Sequence, residues 1–280
     1  AQATQTQTYA YDPDTDLELA QERERLNLFA HLHLDQSIRF LEKEGIAEAA
    51  SFADIGCGTG YLCTSLAELY PNLKVYGLDI NNGHVSTNSD EKNSAHNNLA
   101  FARYDLMEVS DKLKDKFDIV NSTLVMAHMK DPIKAVENMK ALVKPGGKLS
   151  AEEIDIKSLG ANKEFPALYK FKELWEKMII AVDGDTHRGS QLEDIFNQAG
   201  LENIQSRYYI TKEPQAAVKG MIIKVLESPS IQNLLIKDRL VENKDEIKQL
   251  ISDLERGFDD PEMEVVFYNM HQVIGTKPKS

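Results

Sequence analysis

Asp54-Ile55-Gly56-Cys57-Gly58-Thr59-Gly60 is the stretch on which the fold turns. It completes a short strand that begins near Ser51, and it runs into a segment with Leu62, Leu66 and Leu69 on one helical face, closed by Pro71. An acid at a strand end, then glycines, then a helix lays bare backbone along the carboxyl edge of a sheet. Glycine lets a ligand come that close because it lacks a Cβ and tolerates positive φ. Spacing then discriminates between ligands. A dinucleotide turn needs G-x-G-x-x-G, but counted from Gly56 its last glycine would be Tyr61, and the glycine here is Gly60. A pyrophosphate site is disfavoured, and nicotinamide chemistry with it.

Strand and helix alternate outward from this turn. Residues 74–78, 99–103, 117–120 and 148–154 have strand character. Asp131 caps a helix that opens at Pro132 and buries Ile133, Val136, Met139 and Val143, and Lys144-Pro145-Gly146-Gly147 reads as a type II turn. Repeated βα units imply a parallel sheet covered on both faces. Upstream, residues 17–45 form a charged helical lead-in with Leu34, Ile38 and Leu41 at helical spacing. Downstream come a helix over 165–182, a polar loop over 183–189, and a helix carrying Leu192, Ile195, Phe196 and Ala199 that stops at Gly200. A strand over 204–210, a helical stretch over 214–258 and a last strand over 265–274 complete the chain. The expected organisation is a loose tail or lid over 1–16 and one domain over 17–280, with a ligand-binding core at 51–157 and helical cap insertions at 158–190 and 214–258.

Composition narrows the partners. A formal charge of -13 on 280 residues argues against nucleic acid or an anionic membrane surface, since either normally requires a basic face. No apolar stretch reaches the roughly 18 residues that span a bilayer, and the Gln/Thr-rich start has no basic-then-apolar pattern. Cys57 and Cys63 flank the start of one helix and suit reduced thiols, so a cytoplasmic setting is expected. No group of His, Cys, Asp and Glu has convincing ligand spacing, so no metal is expected.

The glycine turn resembles motif I of the class I S-adenosylmethionine (SAM) dependent methyltransferases, acidic-x-G-x-G-x-G. Four further segments match that family in order: Asp79-Ile80 after the second strand, Asp105-Leu106 after the third, Phe117-Asp118-Ile119-Val120-Asn121 as the fourth, and Lys144-Pro145-Gly146-Gly147-Lys148-Leu149 leading into the fifth. The resemblance implies an α/β, Rossmann-like sheet of seven mostly parallel strands with the last antiparallel. It further implies SAM as cofactor, leaving as S-adenosylhomocysteine (SAH), held by Asp54, Gly56, Cys57, Gly58, Gly60, Asp79, Ile80, Asp105, Leu106 and Asn121. Asp79 would accept from both ribose hydroxyls, Asp105 and Leu106 would hold adenine, and Asn121 would lie near the methionine part.

Asn121-Ser122-Thr123-Leu124 stands where amide and adenine amino methyltransferases carry Asn-Pro-Pro-Tyr or Asp-Pro-Pro-Tyr, which lowers those acceptors. Thr123 to Pro132 instead resembles small-molecule methyltransferases of the ubiquinone-biosynthesis and natural-product type, and implies a metabolite acceptor methylated on O, N or C by in-line displacement. In related phosphoethanolamine enzymes a His here works with a Tyr from an N-terminal lid. His128 holds the comparable place, with Tyr9 and Tyr11 as lid candidates, which makes His128 and Tyr11 the catalytic candidates. A lone His at a helix start also serves structure. Residues 11–26 resemble a lead-in that folds over the cofactor, and read alone they suit a solvated, salt-bridged helix. Tyr169, Phe171, Trp175 and Met178 are candidates for an acceptor cap or plain core, and Glu152, Glu153, Asp155, His187 and Arg188 for the acceptor's polar contacts. A SAM-binding regulator acting through its helical inserts would carry the same motifs, and a homodimer is a possible assembly.

Overall fold

Every position of the strand before the glycine turn is buried, as befits a strand covered on both faces. The computed structural model describes residues 13, 15–92, 95–210, 213–267 and 269–280. Tyr9 and Tyr11 lie outside the described residues. In chain order the elements are α1 (Asp16–Lys43), β1 (Ser51–Ile55), α2 (Tyr61–Leu69), β2 (Lys74–Asp79), α3 (Asn82–Lys92), β3 (Leu99–Arg103), β4 (Phe117–Thr123), α4 (Pro132–Leu142), β5 (Val143–Asp155), β6 (Gly160–Ala161), α5 (Pro166–Ile180), α6 (Arg188–Gln198), β7 (Glu202–Ile210), α7 (Gln215–Glu227), α8 (Pro229–Lys237), α9 (Lys244–Phe258), β8 (Val265–Val266) and β9 (Asn269–Thr276).

Seven strands form one sheet in the order β3-β2-β1-β4-β5-β9-β7. β1 pairs in parallel with both β2 and β4, while β9 runs antiparallel between β5 and β7. The chain thus winds outward from β1 in one direction through β2 and β3, and in the other through β4 and β5. Such a switch in winding opens a crevice at the carboxyl ends of β1 and β4. The α/β sheet with its last strand antiparallel is as the sequence implied.

Three differences from the sequence expectation have local causes. Lys144-Pro145-Gly146-Gly147 is drawn into β5, because Gly146 N donates to the Lys277 carbonyl and Lys277 N to the Gly147 carbonyl; Gly146 keeps the positive φ a type II turn would use. The stretch expected as one strand over 265–274 is two: β8 pairs with β6 in a separate two-stranded sheet, and β9 enters the main sheet. α3 was not anticipated, since Val85 is its sole aliphatic residue and leaves no apolar period to read.

Packing follows the same plan. α4 and α6 cover one face through Val136, Met139, Leu192 and Phe196, and Leu41 of α1 with Leu66 of α2 covers part of the other over Phe52 and Ile119. The inserted helices α5 and α7–α9 build a further core around Phe171, Met221, Ile222, Leu235 and Leu254. Phe29 of α1 joins that core, its ring 6.5 Å from Trp175 and 5.7 Å from Phe267. α1 is fixed to the sheet by a polar row buried at its middle: Thr123, Glu152, Gln272 and Arg207 sit side by side across β4, β5, β9 and β7. Ser37 Oγ donates to Glu152 Oε2 at 2.8 Å, Gln272 Nε2 donates to the Gln36 carbonyl at 3.3 Å, and Arg207 lies over the Phe40 ring.

Candidate active site

Gly56 N and Cys57 N both donate to the Leu78 carbonyl, at 2.7 and 3.1 Å, which turns the chain out of β1 just above the end of β2. Gly56 has φ +73°, and a Cβ there would lie 2.4 Å from Val125 Cγ2, so the turn closes only without a side chain. Asp79 holds the next step. Its Oδ2 accepts from Gly58 N and its Oδ1 from Asn81 N, both at 2.8 Å, which fixes the carboxylate at the cavity wall. Each oxygen retains a second lone pair for a further donor.

Beneath the turn, Asn121 Nδ2 donates to Asp54 Oδ1 at 3.0 Å and Asn121 Oδ1 accepts from Ser150 Oγ at 2.7 Å. Burial pushes the Asp54 carboxyl up to about 7, against the Asn121 hydrogen bond and with the help of nearby Glu152 and Asp79. Burial raises Glu152 and Glu153 to about 7 as well. A cation entering this crevice meets Asp54 and Glu153 on its wall, carboxyls that ionise more readily in its presence.

Past β4 the chain is held under constraint. Leu124 adopts φ +58°, a conformation that costs a non-glycine residue about 1–3 kcal/mol and persists only where surroundings impose it. The next turn, Met126–His128, is clamped on two sides: Ala127 N donates to Glu153 Oε2 at 3.0 Å, and the Ala127 carbonyl accepts from Asp185 N at 2.9 Å. Arg188 Nη2 donates to the Met129 carbonyl at 3.1 Å. His128 thereby faces the cavity, and burial, then Arg25, holds its imidazole down at about 4, with Glu22 opposing.

α1 supplies the roof. Arg25, Phe29, His33 and Ser37, spaced four residues apart, all line the cavity of about 180 Å³. Arg25 and Glu22 form a buried ion pair joined through Arg25 Nε and Nη2. A Cβ on Gly58 would come 3.4 Å from Leu26 Cδ1, so the helix lies directly over the glycine turn. Arg23 fastens this end to α3, with Nη2 donating to Asn88 Oδ1 at 2.8 Å and Nη1 3.0 Å from His84 Nδ1, while Asn88 Nδ2 donates to the Gly58 carbonyl at 2.8 Å.

Of the residues singled out from sequence, Asp54, Gly56, Cys57, Gly58, Asp79, Ile80 and His128 line this cavity together, with Trp175 and Glu153. Gly60 caps α2 at φ +72°. Asp105 and Leu106, at the end of β3, lie outside the lining, as does Asn121, which acts from below through Asp54. Tyr169 is exposed, Phe171 and Met178 are core, and Asp155 pairs with His187 at 2.7 Å away from the cavity. Glu22 and Arg25 were placed only within the lead-in over 11–26, and His33 was missed. The four-residue spacing of Arg25, Phe29, His33 and Ser37 was the available signal, masked by the charges around it. Among the described residues, no His, Cys, Asp and Glu group is arranged for a metal, and no helix is long and apolar enough to cross a membrane.

The family described as a methyltransferase domain matches residues 46–200. A ubiquinone biosynthesis O-methyltransferase from Coxiella burnetii is 29% identical over 120 residues, 42% of this chain and 50% of that protein. The chain spans about half the length of the curated relatives it matches. Among solved structures, a phosphoethanolamine N-methyltransferase from Haemonchus contortus superposes with TM-score 0.56 at 16% identity, covering 91% of this chain and 57% of that one. The YcgJ protein from Bacillus subtilis gives 0.53 at 16%, covering 89% and 100%. These likenesses concern the fold.

Proposed function

Because the chain belongs to the methyltransferase-domain family, we propose that it transfers the methyl group of SAM to a small-molecule metabolite. The observation that carries this reading is the convergence of the bare Gly56–Gly58 backbone, the Asp79 carboxylate and His128 on one cavity beneath α1. The residues fit the cofactor. A side chain on Gly56 would collide with Val125, Asp79 keeps lone pairs for two neutral hydroxyls, and the Asp54 and Glu153 carboxyls that line the cavity favour a positive centre nearby. SAM supplies an electrophilic methyl on a sulfonium. The chain's own work is alignment and exclusion of water: α1 covers the crevice from above, α5 closes its side with Trp175 and Ile179, and the clamped Met126–His128 turn sets the His128 ring. Asp105 and Leu106 are assigned to the adenine end, Asn121 to positioning Asp54, and His128 to the reacting end of the cavity, where its clamped ring borders the acceptor.

The name of the Coxiella relative supports an oxygen nucleophile on a ring-bearing metabolite. So does the acceptor side of the cavity, where Phe29, Leu124, Ile154, Trp175 and Ile179 are apolar and Arg25 is already matched by Glu22.

The test is SAH formation from SAM across a panel of hydroxylated aromatic metabolites, read by mass spectrometry, beside calorimetric binding of SAH. Asp79→Ala removes an acceptor of charge-assisted hydrogen bonds, each worth about 1.5–3 kcal/mol, so SAH affinity should fall at least tenfold. NADH bound in preference to SAM, or an unchanged affinity in Asp79→Ala, would sink the reading.

A further inference from the structure

α1 is pinned at two points on either side of His33. Ser37 Oγ meets Glu152 of β5 at 2.8 Å, and Leu26 lies over Gly58. His33 is one helical turn, about 5.4 Å, before Ser37 on the same inward stripe. The ring therefore faces the carboxyl ends of β1 and β4, where Gly56, Thr123 and Val125 line the same cavity. It is 7% exposed, and its Nδ1 is enclosed, the backbone group acting on the ring being the Phe29 carbonyl one turn earlier. With Nδ1 enclosed, the edge of the ring that carries Nε2 is the one left to border the cavity.

Resting on the methyltransferase reading above, we propose that His33 takes the hydrogen bond, and during transfer the proton, of an uncharged hydroxyl-bearing acceptor. Phe29, one turn before it on α1, and Trp175 of α5 give that acceptor apolar walls. The charged and titratable groups that line the cavity beside His33 are Arg25 on the same helix and, from the other walls, Asp54, Cys57, Tyr61, Asp79, His84, His128 and Glu153. Arg25 is matched by Glu22, and His128 sits in the field of that pair, whereas burial, opposed by the Phe29 carbonyl, sets His33 alone and holds it neutral down to about pH 4. A neutral imidazole has a lone pair for an O–H donor. His33 receives the hydroxyl proton as the oxygen's lone pair bonds the methyl carbon and the carbon–sulfur electron pair is left on sulfur. The positive charge lost at sulfur is regained on the imidazole, so the enclosed site keeps its net charge, and the proton passes to water when the site opens.

Trp175, the chain's one tryptophan, lines the cavity and reports its occupancy by fluorescence. The full chain, loaded with SAH, is titrated with phenol and with anisole, which has the same ring but no O–H. The wild type should bind phenol at least tenfold more tightly than anisole. His33→Phe should abolish that preference while SAH affinity stays within threefold, and His33→Gln, whose amide oxygen accepts a hydrogen bond, should restore it. No preference in the wild type, or a preference that survives in His33→Phe, overturns the proposal. So does a tenfold loss of SAH affinity in His33→Phe, which would make the ring a ligand of the cofactor. A wild type that fails to bind SAH at all strikes the methyltransferase reading itself, and the proposal falls with it.

Discussion

His128 and Glu152 show how burial, more than the charges and hydrogen bonds around them, sets the chemistry of single residues here. His128 is neutral over the physiological range because charging it inside the protein costs too much. His128→Ala should keep SAH affinity and lose at least tenfold in turnover, because the clamped ring fixes how the acceptor approaches the methyl; turnover within twofold of wild type would remove it from the reaction. Glu152 has the opposite sign. Its folded pKa is raised to about 7 from 4.5, so its contribution to stability is full below about pH 4.5 and is lost as pH rises through 7. Glu152→Gln keeps the neutral form throughout, and between pH 6 and 8 the wild type should lose about 1.4 kcal/mol relative to it in chemical denaturation. Parallel curves would show that Glu152 is ionised in the folded protein. His33 and His128, depressed to about 4 from 6.5, stabilise above pH 6.5 and lose that contribution as pH falls toward 4. At this scale the sequence was informative for the places of Asp54 and Asp79 on the cavity wall, which follow from strand-end positions, and silent for the place of His33, which follows from what α1 lies against.

α1 is the element on which access depends. Its carboxyl-terminal half is locked to the sheet by Ser37 and the Gln36 carbonyl, and its amino-terminal half is fastened to α3 through Arg23, His84 and Asn88. Because Asn88 also holds the Gly58 carbonyl, the clasp ties the roof to the floor of the cofactor cleft. Arg23→Ala removes charge-assisted hydrogen bonds worth about 1.5–3 kcal/mol each, and SAH should dissociate at least tenfold faster in a stopped-flow chase. An unchanged rate would mean that release does not require this end of α1 to lift. The sequence made α1 legible as a helix through Leu34, Ile38 and Leu41, yet its charged residues suggested a solvated face. Burial separates them: Glu22 and Arg25 are inside, while Glu24 is outside and pairs with Lys224. α3 was illegible for a different reason, since a helix held by Arg23 and by the strands it covers needs little apolar period of its own.

Across the whole molecule, the inserted helices form a core of their own and meet the lead-in at Phe29, Trp175 and Phe267. Phe29→Ala removes the ring that joins them and should destabilise the protein by about 3–5 kcal/mol, the usual cost of truncating a buried Phe, measured by urea denaturation. A loss below 1 kcal/mol would show that cap and lead-in are held by other contacts. The sequence by itself determined the sheet, the glycine turn and the acid after β2, because strand periodicity, glycine conformation and strand-end chemistry are local properties that neighbouring residues express together. The tertiary structure alone decided that Arg25, Phe29, His33 and Ser37 of α1 face His128 and Trp175 across one cavity. Those residues are far apart in the chain, and a helix's pattern tells which side is inward without telling what it will meet there. The bare backbone from Gly56 to Gly58 is written in the chain; the roof above it is a product of packing.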